Sequence, residues 1–154
     1  MHKFRRVGVG GTFDHLHDGH KALLRKAFEV GEKVIIGVTK GRLLGGKTMR
    51  KLIYPYKRRV DDIKKFLANE GKLDRAELVP ISSRFGTAVD DPQMEAVVVS
   101  QETSSVVREI NSARSKEGLT HLQPIVVKMI FGKDGEIIRS SKIREKLSSS
   151  LRNS

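Results

Sequence analysis

The chain has 154 residues, 38% hydrophobic and 31% charged, with a formal net charge of +12, and that apolar content at this length is enough to bury the core of one domain spanning 1–154. The absence of cysteine excludes a disulfide framework, a Cys-based zinc site and a thiol nucleophile, and no apolar run approaches the roughly 20 residues of a membrane span or a signal-peptide core, so a soluble, cytoplasmic protein is expected. The positive charge suits nucleic acid and small phosphorylated ligands alike, but Lys and Arg are spread from Lys3 to Arg152 with only six Phe and two Tyr to stack on, which favours the small anions.

Phe4 to Val9 reads as a first strand, which Gly10-Gly11 ends ahead of a polar turn. A helix from about Gly19 to Val30 carries Leu23, Leu24, Ala27 and Phe28 at helical spacing. Val34 to Val38 is a second strand, apolar throughout, as strands of a parallel sheet covered on both faces are. Residues 39–54 then carry Lys40, Arg42, Lys47, Arg50 and Lys51 without an acidic residue; a loop of that length points to function, with a solvated basic surface as the competing reading. Pro55 opens the next helix, in which Tyr56, Val60, Ile63 and Leu67 share a face and Gly71 is the stop. Strands follow at Ala76 to Ile81 and Ala96 to Ser100, then a helix near Thr103 to Lys116 and a fifth strand at Ile125 to Phe131. Gly132-Lys133-Asp134-Gly135 is a turn, and Ser140-Ser141 cap a short last helix bearing Ile143 and Leu147. The order β-α-β-α-β-β-α-β-α, without repeats or linkers, predicts an α/β fold with a doubly wound, mostly parallel five-stranded sheet of order 3-2-1-4-5. In that topology ligands bind beyond the carboxyl ends of strands one and four.

The segment after strand one is the richest in chemistry. Gly10 and Gly11 let the backbone approach a phosphate chain, and the helix opening near Gly19 offers free N–H groups and a positive dipole end. His17 and His20, three apart, can face the same way at that helix start. Two competing readings are ordinary helix-start histidines and a metal site built from His15, His17 and His20, for which no Cys or Glu-x-x-His partner is present. Asp14 either caps the turn, holds the loop or holds an acceptor. His2 and His121 have no such context and read as surface residues.

Gly11-Thr12-Phe13-Asp14 with His17-Asp18-Gly19-His20 resembles the GTFD…HxGH signature of the nucleotidyltransferase superfamily, in a strand-to-helix context that makes the match specific. Ile138-Arg139-Ser140-Ser141-Lys142-Ile143-Arg144 is similar to the superfamily's second signature, Ile-Ser-Ser-Thr-x-Ile-Arg, departing from it at Arg139 and Ser141. Val97-Val98-Val99-Ser100-Gln101-Glu102-Thr103, Asn111, Lys116-Glu117-Gly118-Leu119, Gly37-Val38-Thr39, Leu43-Leu44, Lys47, Tyr54-Pro55-Tyr56 and Arg59 further resemble the archaeal and eukaryotic type of pantetheine-phosphate adenylyltransferase.

This resemblance implies a Rossmann-like nucleotidyltransferase that joins ATP and 4′-phosphopantetheine to give dephospho-coenzyme A and pyrophosphate, with Mg²⁺ carried on the ATP phosphates and no protein-held metal. It implies His20 at the α-phosphate, His17 at the nucleotide phosphates and Lys47 bridging acceptor and α-phosphate, with Lys40 in its place if the register differs. Nucleotide contacts are implied for Gly10, Gly11, Thr12, Phe13, Gly19, Glu102, Ser140, Ser141 and Arg144, and acceptor contacts for Thr12, Asp14, Lys40, Lys47 and Arg84. Glu102 and Thr103 suit a plain capping role equally, and Asp90-Asp91 read as a polar loop pair. The alternatives are a related transferase for another phosphorylated acceptor, of the FMN or glycerol-phosphate type, and a basic nucleic-acid-binding protein on the same fold.

Overall fold

A computed structural model describes residues 2–40, 53–82 and 86–128. Five strands, β1 (Phe4–Gly11), β2 (Gly31–Thr39), β3 (Ala76–Ile81), β4 (Ala96–Ser100) and β5 (Gln123–Val127), form one sheet of order β3-β2-β1-β4-β5. Among the described residues every pairing is parallel. Helices α1 (Asp18–Val30) and α2 (Tyr56–Asn69) join β1 to β2 and β2 to β3, and α3 (Val106–Lys116) joins β4 to β5. The strand order and the switch between β1 and β4 are those the sequence predicts.

Burial explains the strand compositions. Val34, Ile35, Ile36 and Val38 in β2 and Ala96 to Val99 in β4 are all buried, because inner strands of a parallel sheet are covered on both faces. One layer of core gathers Val7, Val9, Val34, Ile36 and Val98 with Leu24, Ala27 and Phe28 of α1 and Ile63 and Leu67 of α2. The other gathers Ile35, Val97 and Val99 with Val107 and Ile110 of α3, Ala88, Met94 and Leu122. The outer strands are less buried. Both carry a proline, Pro80 in β3 and Pro124 in β5, and proline is accepted in a sheet where its missing N–H would face outward.

Several boundaries differ from the sequence reading. Gly10 and Gly11 extend β1 instead of ending it, because β2 continues alongside and pairs Gly37 and Val38 with them. β2 starts at Gly31, directly at the end of α1, with no loop between. A Cβ there would fall 2.7 Å from Val7 Cγ2 and 3.0 Å from the Ala27 carbonyl, so only glycine permits that junction. α3 begins at Val106 and not near Thr103, residues 101–105 being turns. β5 spans Gln123–Val127 where Ile125 to Phe131 was expected; its polar, proline-containing start concealed it, and residues 129–131, the following turn and the last helix lie outside the described residues.

Two arginines are built into this framework. Arg114 of α3 is 0% exposed, donating from Nε to Thr120 O at 2.7 Å and from Nη1 to Ala88 O at 2.8 Å and Asp91 O at 2.9 Å. Its guanidinium thereby fastens the segment before β4 to the segment before β5. Burial depresses its pKa, with Asp91 opposing. Asp91, expected to be a polar loop residue, is one: its Oδ2 accepts from Arg6 Nε at 2.7 Å and its Oδ1 from the Gln93 N–H at 3.0 Å. Replacing Arg114 by Met keeps the apolar stem but leaves buried carbonyls unanswered. We expect Arg114→Met to lower unfolding free energy in urea titrations by about 3 kcal/mol or more, since hydrogen bonds to charged groups contribute about 1.5–3 kcal/mol each.

Candidate active site

Parallel strands bring their carboxyl ends to one side, and there β1 and β4 open onto a cleft of about 340 Å³. Gly8, Gly10 and Gly37 contribute no side chains to it, Ile81, Met94, Val99 and Ile110 make apolar walls, and Thr12, Thr39, Ser100 and Thr103 add hydroxyls. A Cβ on Gly10 would meet Gly37 O at 3.6 Å and Ile81 Cδ1 at 3.7 Å, ordinary contact distances, so space and not strain is what this glycine preserves.

His17 is the N-cap of α1. Its Nδ1 accepts the N–H groups of Gly19 at 3.1 Å and His20 at 3.4 Å, and the His17 N–H in turn donates to His20 Nδ1 at 3.3 Å. This is a capping box made of two imidazoles, which satisfies N–H groups that a helix start leaves open. The rings lie stacked, 3.8 Å between centroids and 15° between planes. A ring nitrogen that accepts an N–H carries no proton, so each neutral imidazole holds its proton on Nε2. His17 Nε2 is buried and has no hydrogen-bond partner among the described residues: a donor held ready at the positive end of a helix.

The turn between β1 and α1 is held under strain. Phe13 and His15 have φ of +53° and +49°, a left-handed conformation that side-chain-bearing residues adopt at a cost. Between them Asp14, 0% exposed, accepts the Tyr54 N–H on Oδ1 at 2.8 Å and the His15 Nδ1–H on Oδ2 at 2.7 Å. The Phe13 ring, 2% exposed, is part of the core and lies 5.4 Å from the His20 ring. The His15 ring rests 4.1 Å from that of Tyr54.

Arg59 is the residue that sequence reading named only for its likeness to a family and gave no role. It is 1% exposed and donates from Nε to Tyr54 O at 2.9 Å and from Nη1 to Thr12 O at 2.9 Å and Thr39 O at 2.8 Å. Burial depresses its pKa, and Asp14 and then Tyr56 counteract this. The available signal was an arginine on the apolar face of α2, three residues after Tyr56 and four before Ile63.

The expected site residues therefore divide. Gly10, Gly11, Thr12, Phe13, Asp14, His17, Gly19 and His20 come together around the start of α1. Thr39 Oγ1 donates to Thr12 Oγ1 at 3.2 Å, and Lys40, whose N–H donates to Ile81 O, places its Nζ 5.0 Å from the Tyr56 ring. Of the roles open to Asp14, its contacts carry the holding of the loop. Glu102 is exposed in the turn after β4, and Thr103 caps it through Ser100 Oγ, 3.0 Å away. Among the described residues no group of three or more His, Asp or Glu forms a metal site; the Nδ1 atoms of all three neighbouring histidines are engaged as above. Lys47, Arg84, Ser140, Ser141 and Arg144 lie outside the described residues.

A family profile described as cytidylyltransferase-like matches residues 9–146. The chain is 42% identical over 142 residues to a phosphopantetheine adenylyltransferase of Methanopyrus kandleri, covering 92% of this chain and 90% of the relative. It is 45% identical over 145 residues to one of Pyrococcus horikoshii, covering 94% and 90%. A solved structure of a protein of unknown function from Archaeoglobus fulgidus is similar at a TM-score of 0.70 and 31% identity, covering 79% of this chain and 88% of that one.

Burial holds the His17 imidazole pKa down at about 4, against 6.5 unperturbed, with Asp18 raising and His15 lowering it further. As pH falls the unfolded chain takes up this proton before the folded one, so His17 removes stability progressively between pH 6.5 and about 4 and contributes no such slope above that window. His17→Asn keeps a side-chain acceptor at a position where Asn caps well but loses the imidazole. Urea titrations at pH 7 and pH 5 are expected to show a smaller acid-induced loss in His17→Asn than in the parent; equal losses would refute the assignment.

Proposed function

The chain belongs to the cytidylyltransferase-like family, and from that membership we propose that it transfers the adenylyl group of ATP to 4′-phosphopantetheine, releasing pyrophosphate and dephospho-coenzyme A. The observation that carries this reading is the reciprocal cap of His17 and His20, whose Nδ1 atoms are both taken by backbone N–H groups at the head of α1. What remains to the His17 ring is its Nε2–H, unpartnered among the described residues, a donor for phosphate oxygen at a helix terminus already suited to anions.

The reaction makes modest chemical demands. The acceptor phosphate has a second pKa of about 6 and is largely ionised near neutrality, so its oxygen is already a nucleophile without a general base. That oxygen bonds to the α-phosphorus as the bond to the bridging oxygen of pyrophosphate breaks, and the electron pair leaves with pyrophosphate. Catalysis then consists of aligning three groups and countering the charge that builds on the α- and β-phosphates. His20 donates to the α-phosphate and His17 to the adjoining phosphates. Because His17 is neutral through the physiological range, its contribution is a fixed dipole that does not vary with pH there.

Lys47 is assigned to the bridge between acceptor and α-phosphate, with Lys40, anchored at the end of β2, as its substitute. Ser140 and Ser141 are assigned to the β- and γ-phosphates, Arg144 to the nucleotide and Arg84 to the acceptor. Mg²⁺ enters on the triphosphate as part of the substrate. The apolar cleft with its scattered hydroxyls suits the pantetheine arm, an alkyl chain interrupted by amides, and the cytoplasm, where ATP is supplied, is the compartment we assign.

Incubation with ATP, Mg²⁺ and 4′-phosphopantetheine is expected to yield dephospho-coenzyme A by mass; no product at high enzyme would overturn the reaction. His20→Ala is expected to keep the fold and lose about 10²–10³ in kcat, the usual worth of one preorganised donor. Turnover near that of the parent would remove His20 from the chemistry.

A further inference from the structure

Tyr54 is gripped from both sides of its own backbone. Asp14 Oδ1 takes its N–H at 2.8 Å and Arg59 Nε donates to its carbonyl at 2.9 Å. The same two residues reach the ends of the two central strands: Asp14 belongs to the turn that follows β1, and Arg59 Nη1 ties Thr12 O and Thr39 O together at 2.9 and 2.8 Å. Four pieces of chain that the site needs in register therefore meet at one buried guanidinium and one buried carboxylate. They are the turn ahead of His17, the end of β2 that leads to Lys40, the segment entering α2, and α2 itself.

We infer that Arg59 and Asp14 act as a clamp on Tyr54 that holds the strained turn ahead of His17 against the end of β2, which makes Arg59 a positioning residue for transfer. The role in transfer rests on the proposed function; the mechanical role does not. Two features make the clamp necessary. Phe13 and His15, on either side of Asp14, are left-handed, so the turn relaxes unless something outside it holds it. Asp14 is wholly buried, and a buried carboxylate needs compensating charge, which the nearby Arg59 guanidinium helps to supply. The hydrogen bonds of Arg59 to the cleft lining go to the backbone carbonyls of Thr12 and Thr39, so its effect on substrate passes through those two residues.

Two conservative variants separate the parts. Arg59→Lys keeps the charge and loses the planar fork that spans three carbonyls. Asp14→Asn keeps an acceptor for the Tyr54 N–H and loses the charge. Hydrogen exchange followed by mass spectrometry on the full chain is expected to show exchange of residues 12–17 and 53–55 at least about tenfold faster in both variants, with β4 protected as in the parent. Steady-state assays are expected to show kcat per folded molecule down by about 10–100-fold with KM for ATP within about threefold, the signature of misplacement by a fraction of an ångström. A uniform rise in exchange across the sheet, or unchanged exchange at residues 12–17, would overturn the clamp. Selective loosening with unchanged kcat would confine it to structure and overturn its role in transfer. A parent chain that makes no product would instead remove the proposed reaction, while the exchange pattern would still decide the clamp.

Discussion

A helix begins with N–H groups that have no partner of its own, and here two ring nitrogens supply them. The exchange of hydrogen bonds between His17 and His20 does three jobs at once: it fixes where α1 starts, sets which nitrogen of each ring carries the proton, and stacks the rings. Each depends on the others. A serine or asparagine cap would start the helix as well but would leave no imidazole N–H beside it. Burial completes the arrangement by keeping His17 uncharged, so that Nδ1 remains an acceptor and the cap survives across the pH range in which phosphates are ionised.

Around that terminus the fold uses cations as internal fasteners. Arg59 lies on the face of the sheet covered by α1 and α2, and Arg114 on the face covered by α3, each answering carbonyls from segments far apart in sequence. Carbonyls at strand ends have no ladder partner, and an arginine fork can satisfy several of them at once. Lys40, exposed at the end of β2, is followed in sequence by Arg42, Lys47, Arg50 and Lys51. A net charge that first suggests nucleic acid is thus partly taken up in fastening the interior.

Much of this could be read directly from the residues. The apolar runs of β2 and β4 declared inner parallel strands, the stripe of Leu24, Ala27 and Phe28 declared the buried face of α1, and the two histidines three apart declared a helix start at which both rings lie together. What escaped was non-local. Arg59 gains its meaning from Thr12, 47 positions away, and no local pattern encodes that contact. Phe13, for which the resemblance implied a nucleotide contact, keeps its ring in the core beside that of His20. β5 was shifted because an outer strand is not apolar on both faces and begins Gln123-Pro124. Gly10-Gly11 was read as a stop because glycine is weak in isolated strands, whereas pairing with β2 overrides that tendency.

The prolines of the outer strands carry a consequence for how copies of this chain behave together. An unpaired strand margin is a template on which a second polypeptide can add itself, and growth of that kind leads to fibrils. Pro80 and Pro124 each remove a donor from such a margin, so among the described residues neither border of the sheet offers an unbroken row of N–H groups to a newcomer. In a crowded solution these two residues act as a built-in safeguard against self-templating.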